Sequence, residues 1–560
     1  MKKQLIECVP NISEGRDLDK INTIAHSIDQ IEGVKLLDID PGKATNRTVI
    51  TFVGSPDKVI DAAFILIKKA SELIDMRKHT GAHPRFGATD VCPLVPIAGI
   101  SLEETVKYAQ KLGERVGKEL GIPVYLYEKV AQEDKRQNLA NCRSGEYEGL
   151  KEKLSNPEWQ PDFGTTEFNS SVAKTGATAI SARDFLVAYN VNLNTTSVRR
   201  ANAVAFDIRE AGRIKSDKKF KKILDNKGNP IRIPGKLKAV KGIGWYIEEY
   251  GIAQISYNLT NISITSMHKA FDESCKAAAE RGMRVTGSEL IGLIPLKAML
   301  DAADYYLKKQ NRSLGIAESE KIKIAVKSLG LDDLKPFNPQ EKIIEYVLKD
   351  DSNQLIDLTL SAFADETAGE SMAPGGGSIA AYVGALGVSL GTMVANISAH
   401  KRGWDDKWES FSDWAVKGQS YKEILLALVD EDTNAFNKII EAFRLPKTTD
   451  KEKKIRVEAV ETATKYATEI PFKVMETAYN SMEVMQAMLK EGLKSSLSDA
   501  GVGVLCAKTA VTGAYFNVRI NAKDIKDRAF AKDIIAKAEA IYNEALKIEI
   551  DTIKHITTKL

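Results

Sequence analysis

Residues 34–54 read "VKLLDIDPGKATNRTVITFVG". Two runs rich in Val, Ile, Leu and Thr flank a Pro-Gly break, which predicts two successive strands, "VKLLDID" and "RTVITFVG". Before them come a strand "QLIECVPN" and a helix from about Arg16 to Gln30. After them come a helix from about Pro56 to Met76 and a strand "ATDVCPLVPI", so the order is βαββαβ. An amphipathic helix over about Ser101 to Leu120 and a strand "PVYLYE" follow, a strand able to lengthen the sheet at an edge.

The same order returns from residue 182: strand "FLVAYNVNL", a helix near Thr196–Ala211, strands "AVKGIGWYIEE" and "IAQISYNLT", a helix near Thr265–Arg281, and a strand around "GSELIGLIP". The expected fold is therefore multidomain, with two α+β sandwiches of the ferredoxin-like class over 1–181 and 182–331. A basic insertion over 215–236, with "DNKGNPIRI" inside it, predicts an exposed hairpin. Prolines and aspartates in 332–351 mark a linker. From 352 to 560 helical periodicity is nearly continuous, and an all-α bundle is expected there.

Composition narrows the function classes. Apolar residues are 43% and charged residues 28% of the 560, an ordinary globular profile. With 79 basic and 76 acidic residues the net charge is +3, which gives no global field for nucleic acid or a membrane surface. Any anion recognition must be local. Five cysteines without CxxC spacing point to a reducing compartment rather than a disulfide framework, and a cytoplasmic location is expected. No signal core and no apolar span of about 20 residues is read in the sequence.

Two of the six histidines, His79 and His83, fall in "RKHTGAHPRFGATD", 77–90, between the second helix and the last strand of the first βαββαβ run. A loop leaving a rigid sheet displays reactive groups, and imidazole exchanges protons near neutrality. The competing reading is a histidine held by a backbone carbonyl. Asp38 and Asp40 share one face of their strand by period-two alternation, and one carboxylate could orient an imidazole. Asn11 precedes a helix, and Arg47 and Arg85 suit a substrate carboxylate. Metal binding is not expected, because no third ligand accompanies the two histidines.

In the helical region "YKEILLALVDEDTNAFNKIIEAF" contains Asp430, Glu431 and Asp432 in a row. The i±3 and i±4 neighbours of Asp432 are Leu428, Val429, Ala435 and Phe436, so Asp432 faces the core. Burial should raise its pKa and suit it to proton exchange. The run "APGGGSIAA" opens a helix of small residues, and Gly375, Gly376, Gly377 and Ser378 would offer amides to a ligand's carboxylates or ring. Asp499 and Asn517, in "SSLSDAGVGVLCAKTAVTGAYFNVRIN", are secondary candidates for lining a pocket.

The blocks "LIECVPNISEGRD", "DPGKATNRTVITFVG", "IDMRKHTGAHPRFGATDVCPLVPI", "SGEYEGL", "PDFG", "GIGWYIEE", "GLIPLKAMLDAADYY" and "EKIIEYVL" occur in this order over most of the chain. Together they resemble the formiminotransferase-cyclodeaminase family. The resemblance implies transfer of a formimino group from N-formimino-L-glutamate to N5 of tetrahydrofolate. Cyclisation to 5,10-methenyltetrahydrofolate with loss of ammonia would follow. It implies that His83 is the catalytic histidine, that a folate segment runs from about Gly164 to Gly176, and that Asp432 is the acid of the second site. Asp40 as the partner of His83 is our own expectation. Tetrahydrofolate enters as co-substrate with no tightly bound cofactor, and the bundle is expected to self-associate. The alternatives are a donor preference for N-formylglutamate and a folate carrier without turnover. A titratable loop histidine and a carboxylate on an apolar helix face argue against a pure carrier.

Overall fold

A computed structural model describes every residue except 1–3, 43–45, 81–84, 218–220, 227, 350–353, 372 and 560. The chain forms two compact units, one of residues 1–298 with 329–348 and one of residues 299–328 with 349–560. The division falls inside the helix Leu296–Lys309. Residues 299–328, expected with the second sheet, therefore group with the helices. Most of the expected linker, 332–348, groups with the sheets, where Lys35 Nζ donates to the Val347 carbonyl at 2.5 Å.

The first sheet has seven strands: β1 (Leu5–Cys8), β2 (Asn11–Ile12), β3 (Val34–Gly42), β4 (Arg47–Gly54), β5 (Thr89–Ala98), β6 (Val124–Glu128) and β7 (Thr178–Ala182). β1 and β2 lie between β4 and β5, and β3 pairs antiparallel with the other side of β4. β7 was not anticipated from sequence. It enters parallel to β5, and β6 pairs parallel with β7, so "PVYLYE" does extend the sheet but through an intervening strand. Ile6, Cys8, Ile50, Phe52, Cys92 and Leu94 form a core with the helices Pro56–Leu73 and Leu102–Leu120. Proline opens the first of these helices at a position whose amide needs no partner. A Ser101–Glu104 capping box opens the second, and Gly121, left-handed at φ 67°, closes it.

The second sheet is four-stranded, with β11 (Val240–Ile247), β12 (Ile252–Leu259), β8 (Val187–Leu193) and β13 (Val285–Ile291) side by side and all antiparallel. The insertion expected as a hairpin carries the short strand β10 (Arg232–Ile233), which pairs antiparallel with β9 (Arg213–Ile214) just before it, and Leu224 and Ile233 are exposed on it.

The helical unit is built on five long helices: Gly376–Ala399, Trp408–Arg444, Asp450–Glu491, Leu497–Ala522 and Arg528–Thr557. The helix Gly376–Ala399 is long and apolar enough to cross a membrane by length and composition, which corrects the expectation that no such span exists. Its small residues instead let neighbours approach closely. A Cβ on Gly387 would lie 2.7 Å from the Gly503 carbonyl, and one on Gly503 would lie 2.8 Å from the Gly387 carbonyl. Alanines and methionines of the adjoining helices fill the surrounding core.

Candidate functional sites

The first candidate site lies around the 77–90 loop. His83 is outside the described residues, whereas both flanks of its segment are tied down. His79 donates from Nε2 to the Asn46 carbonyl at 2.8 Å, and its Nδ1 accepts from Arg85 Nε at 3.2 Å. These two bonds hold the neutral ring in one tautomer. Burial lowers its proton affinity; the Asn46 carbonyl works against that, and the Arg85 charge adds to it. His79 thus holds the loop. The Asn46 amide in turn donates to the Thr80 carbonyl at 2.9 Å and accepts from the Gly15 amide at 3.0 Å. Asn46 sits at positive φ, 50°, where asparagine is tolerated better than most residues.

Arg85 does not offer the open fork expected from sequence. Its Nη1 donates to Glu146 and Glu148, each at 3.0 Å, and its Nη2 donates to Glu148 at 2.7 Å. The Glu148 hydrogen bond holds the guanidinium's pKa up, and Arg85 itself is nearly buried. Glu146 and Glu148 were not singled out as site residues, although an acid pair two positions apart in "SGEYEGL" is a visible signal for clamping a guanidinium.

Arg47 and Asp40 lie on one face of the hairpin by register, because Gly42 pairs with Arg47 and Asp40 with Val49. That face is opposite the one carrying the core residues Ile50 and Phe52, and Asp40 is exposed on it. Burial lowers the Arg47 pKa, with Asp90 acting against it. Asp90, overlooked in sequence, is fully buried; burial raises its carboxyl to about 6 against the pull of Arg143, 3.1 Å away. Glu7 is buried likewise and pushed up to about 7, with Arg183 opposing. Asn11 is buried; its side-chain amide donates to the Val9 carbonyl at 2.9 Å, while Oδ1 has no hydrogen-bond partner among the described residues.

The segment 164–176 is stitched to the same loop. Ala88 donates to the Thr175 carbonyl at 2.7 Å and Ala177 to the Phe86 carbonyl at 2.9 Å. A Cβ on Gly176, at φ 67°, would lie 2.2 Å from the Phe86 carbonyl oxygen. One on Gly164, at φ 90°, would lie 2.1 Å from the Ile122 carbonyl oxygen. Both glycines therefore have a backbone packing role that the sequence reading did not give them.

The second candidate site is a cavity of 640 Å³ within the helical unit, a size that suits a small-molecule ligand. The three consecutive acids separate there. Asp430 accepts from the Leu355 amide at 2.7 Å, and Glu431 accepts from the Tyr466 hydroxyl. Asp432 alone faces the cavity, where its Oδ2 accepts from the Ser378 amide at 2.9 Å. The Ser378 hydroxyl sits 3.2 Å from the same oxygen and 2.8 Å from the Val429 carbonyl, with one proton for the two acceptors. Burial raises the Asp432 pKa, and the Ser378 hydroxyl and amide hold it back. A Cβ on Gly377 would lie 2.1 Å from Asp432 Oδ1, so glycine is needed for the carboxylate to occupy this place.

Ser378, expected among the folate-binding residues, is fully buried, holds the carboxylate and is not among the residues that line the cavity. Gly375, Gly376 and Gly377 do border the cavity, as does Asn517. Asp499 is not among the residues that line it. It sits in the first turn of Leu497–Ala522, about 27 Å from Asn517 along the axis at roughly 1.5 Å per residue. Among the described residues no group of three or more His, Cys, Asp and Glu is placed to hold a metal ion.

Three family models match the chain in succession. The formiminotransferase domain N-terminal subdomain covers residues 5–183, the formiminotransferase domain 188–349, and formiminotransferase-cyclodeaminase 359–540. A mouse formimidoyltransferase-cyclodeaminase is 42% identical over 544 residues, 97% of each chain. A glutamate formimidoyltransferase of Thermoplasma acidophilum is 44% identical over 306 residues, 54% of this chain and 92% of its own. A methenyltetrahydrofolate cyclohydrolase of Methylorubrum extorquens is 32% identical over 187 residues, 33% of this chain and 90% of its own.

Proposed function

The chain belongs to the formiminotransferase-cyclodeaminase family, and from that premise we propose that it is a bifunctional enzyme running two consecutive reactions on one folate. In the first, N5 of tetrahydrofolate attacks the amidine carbon of N-formimino-L-glutamate. N5 loses a proton as the C–N bond forms, and the glutamate nitrogen gains one as its bond to that carbon breaks. His83 carries that proton. The clamps at His79, Thr80 and Arg85 support this role by fixing the chain on either side of it. Arg47 takes the donor's carboxylate and Asp40 orients the histidine.

In the second reaction N10 closes on the formimino carbon, and ammonia leaves as 5,10-methenyltetrahydrofolate forms. The formimino group reacts as its protonated amidinium; Asp432 accepts the N10 proton and returns it to that nitrogen, which then departs as neutral ammonia. The observation that carries this half is the Asp432 carboxylate, raised in pKa by burial and held by Ser378 at the wall of a cavity. Tetrahydrofolate is consumed as a co-substrate rather than retained.

The strand orders of both sheets support the ferredoxin-like class for the two halves of the transferase. Exposed Leu386, Ile397, Phe516 and Ile520 on the bundle helices support self-association. A cytoplasmic setting belongs to the same reading. The test is to mix the purified protein with N-formiminoglutamate and tetrahydrofolate and follow methenyltetrahydrofolate absorbance together with ammonia. Both should rise in step, and folded protein that yields neither contradicts the reading.

A further inference from the structure

The wall of the Asp432 cavity formed by Leu497–Ala522 carries two asparagines one helical turn apart, Asn517 and Asn521. Residues four apart share a helix face, so both amides meet the cavity on one side. The side-chain amide of Asn517 donates to the Gly513 carbonyl at 2.9 Å, and that of Asn521 donates to the Ala467 carbonyl at 2.8 Å. A carbonyl only accepts, so each bond fixes which end of the amide is nitrogen. One N–H of each NH2 group is thus engaged by the protein, and the Oδ1 of each amide is an acceptor that these bonds do not use. Asn517 reaches the neighbourhood of the carboxylate directly: a Cβ on Gly376 would lie 3.4 Å from Asn517 Nδ2, and Gly377 beside it packs on Asp432. Across the cavity Phe436, Ile439 and Phe443 of the helix Trp408–Arg444 present an apolar wall. The space thus has an apolar side, a pair of asparagine amides and the Asp432 carboxylate, with Glu461 and Asp524 elsewhere on its wall.

Taking this cavity as the deamination site, we propose that Asn517 and Asn521 are specificity-determining residues that accept hydrogen bonds from the 2-amino group and adjacent N3–H of the pterin ring. That edge carries neighbouring donors in one plane, which the two Oδ1 acceptors match. Seating it on the asparagines places the ring against the phenylalanine wall and N5 and N10 toward Asp432. The amides hold the ring and take no part in the proton transfer.

The experiment uses the full chain supplied with 5-formiminotetrahydrofolate or its 2-desamino-2-methyl analogue, with ammonia release as the readout. The unaltered protein should favour the 2-amino substrate by about tenfold or more in kcat/KM. Asn517→Leu and Asn521→Leu should each raise KM for the 2-amino substrate about five- to tenfold, more than they lower kcat. Both should also shrink the preference over the analogue, which a merely structural loss would leave intact. Equal use of the two compounds by the unaltered protein overturns the proposal without any variant, and so does an undiminished preference in both leucine variants. Asp432→Asn separates this from the underlying reading. If that variant releases ammonia normally, the cavity is not the deamination site; if it is inactive while the leucine variants keep the preference, only the asparagine assignment falls.

Discussion

Gly377 is the residue on which the second site turns, because the space a methyl group would need is filled by the Asp432 carboxylate. Gly377→Ala should therefore cut ammonia release from supplied 5-formiminotetrahydrofolate by about a hundredfold or more, with formimino transfer retained. Assaying the two reactions separately checks this. Ser378→Ala removes a hydrogen bond that stabilises the ionised form of Asp432. Its loss should move the acid limb of the deamination pH profile upward, and an unmoved or lowered limb would show that Ser378 does not tune the acid. Glu7 gives a stability test of known sign. Its native pKa of about 7 lies above the ordinary carboxylate value because burial disfavours the charge. The native state therefore binds this proton more tightly than the unfolded chain does. Its favourable contribution is complete below about pH 4.5 and is lost as pH rises through about 7. Glu7→Gln should unfold at a higher temperature than the unaltered protein above pH 7, by on the order of 1–3 kcal/mol, with a smaller gap in acid. Asp432 was legible in sequence because its helical neighbours are apolar on both sides. Asp499 was misplaced because residues on one helix can share composition and still lie at opposite ends of it.

At the scale of elements, the first transferase site depends on how two stretches far apart in sequence are laid together. Gly87 and Gly176 pack backbone to backbone: a Cβ on Gly87 would lie 1.9 Å from the Ala177 carbonyl oxygen. Gly176→Ala combines that kind of collision with a left-handed φ of 67°. It should cost roughly 2–4 kcal/mol of stability. Thermal unfolding would show the loss, and transfer should suffer while deamination persists. The helices and most strands were legible because period-two and helical patterns alternate cleanly along residues 4–128. The strand Thr178–Ala182 was not. It is five residues long, wholly buried and without alternation, and only its parallel partners β5 and β6 reveal it. The role of Arg85 was hidden for a similar reason, since its carboxylate partners Glu146 and Glu148 are about sixty positions away.

At the scale of the whole molecule, the two candidate sites belong to separate compact units, each with residues suited to one proton-transfer task. The relative from Thermoplasma acidophilum matches 54% of the chain, and the one from Methylorubrum extorquens matches 33% of it. The proposed function therefore comprises two independent chemistries on one polypeptide. The most direct measurement assays both reactions in His83→Ala and Asp432→Asn, using supplied 5-formiminotetrahydrofolate for the second. His83→Ala should lose formimino transfer and keep ammonia release, and Asp432→Asn should do the reverse. Loss of both activities in either folded variant, or normal ammonia release from Asp432→Asn, would contradict the account.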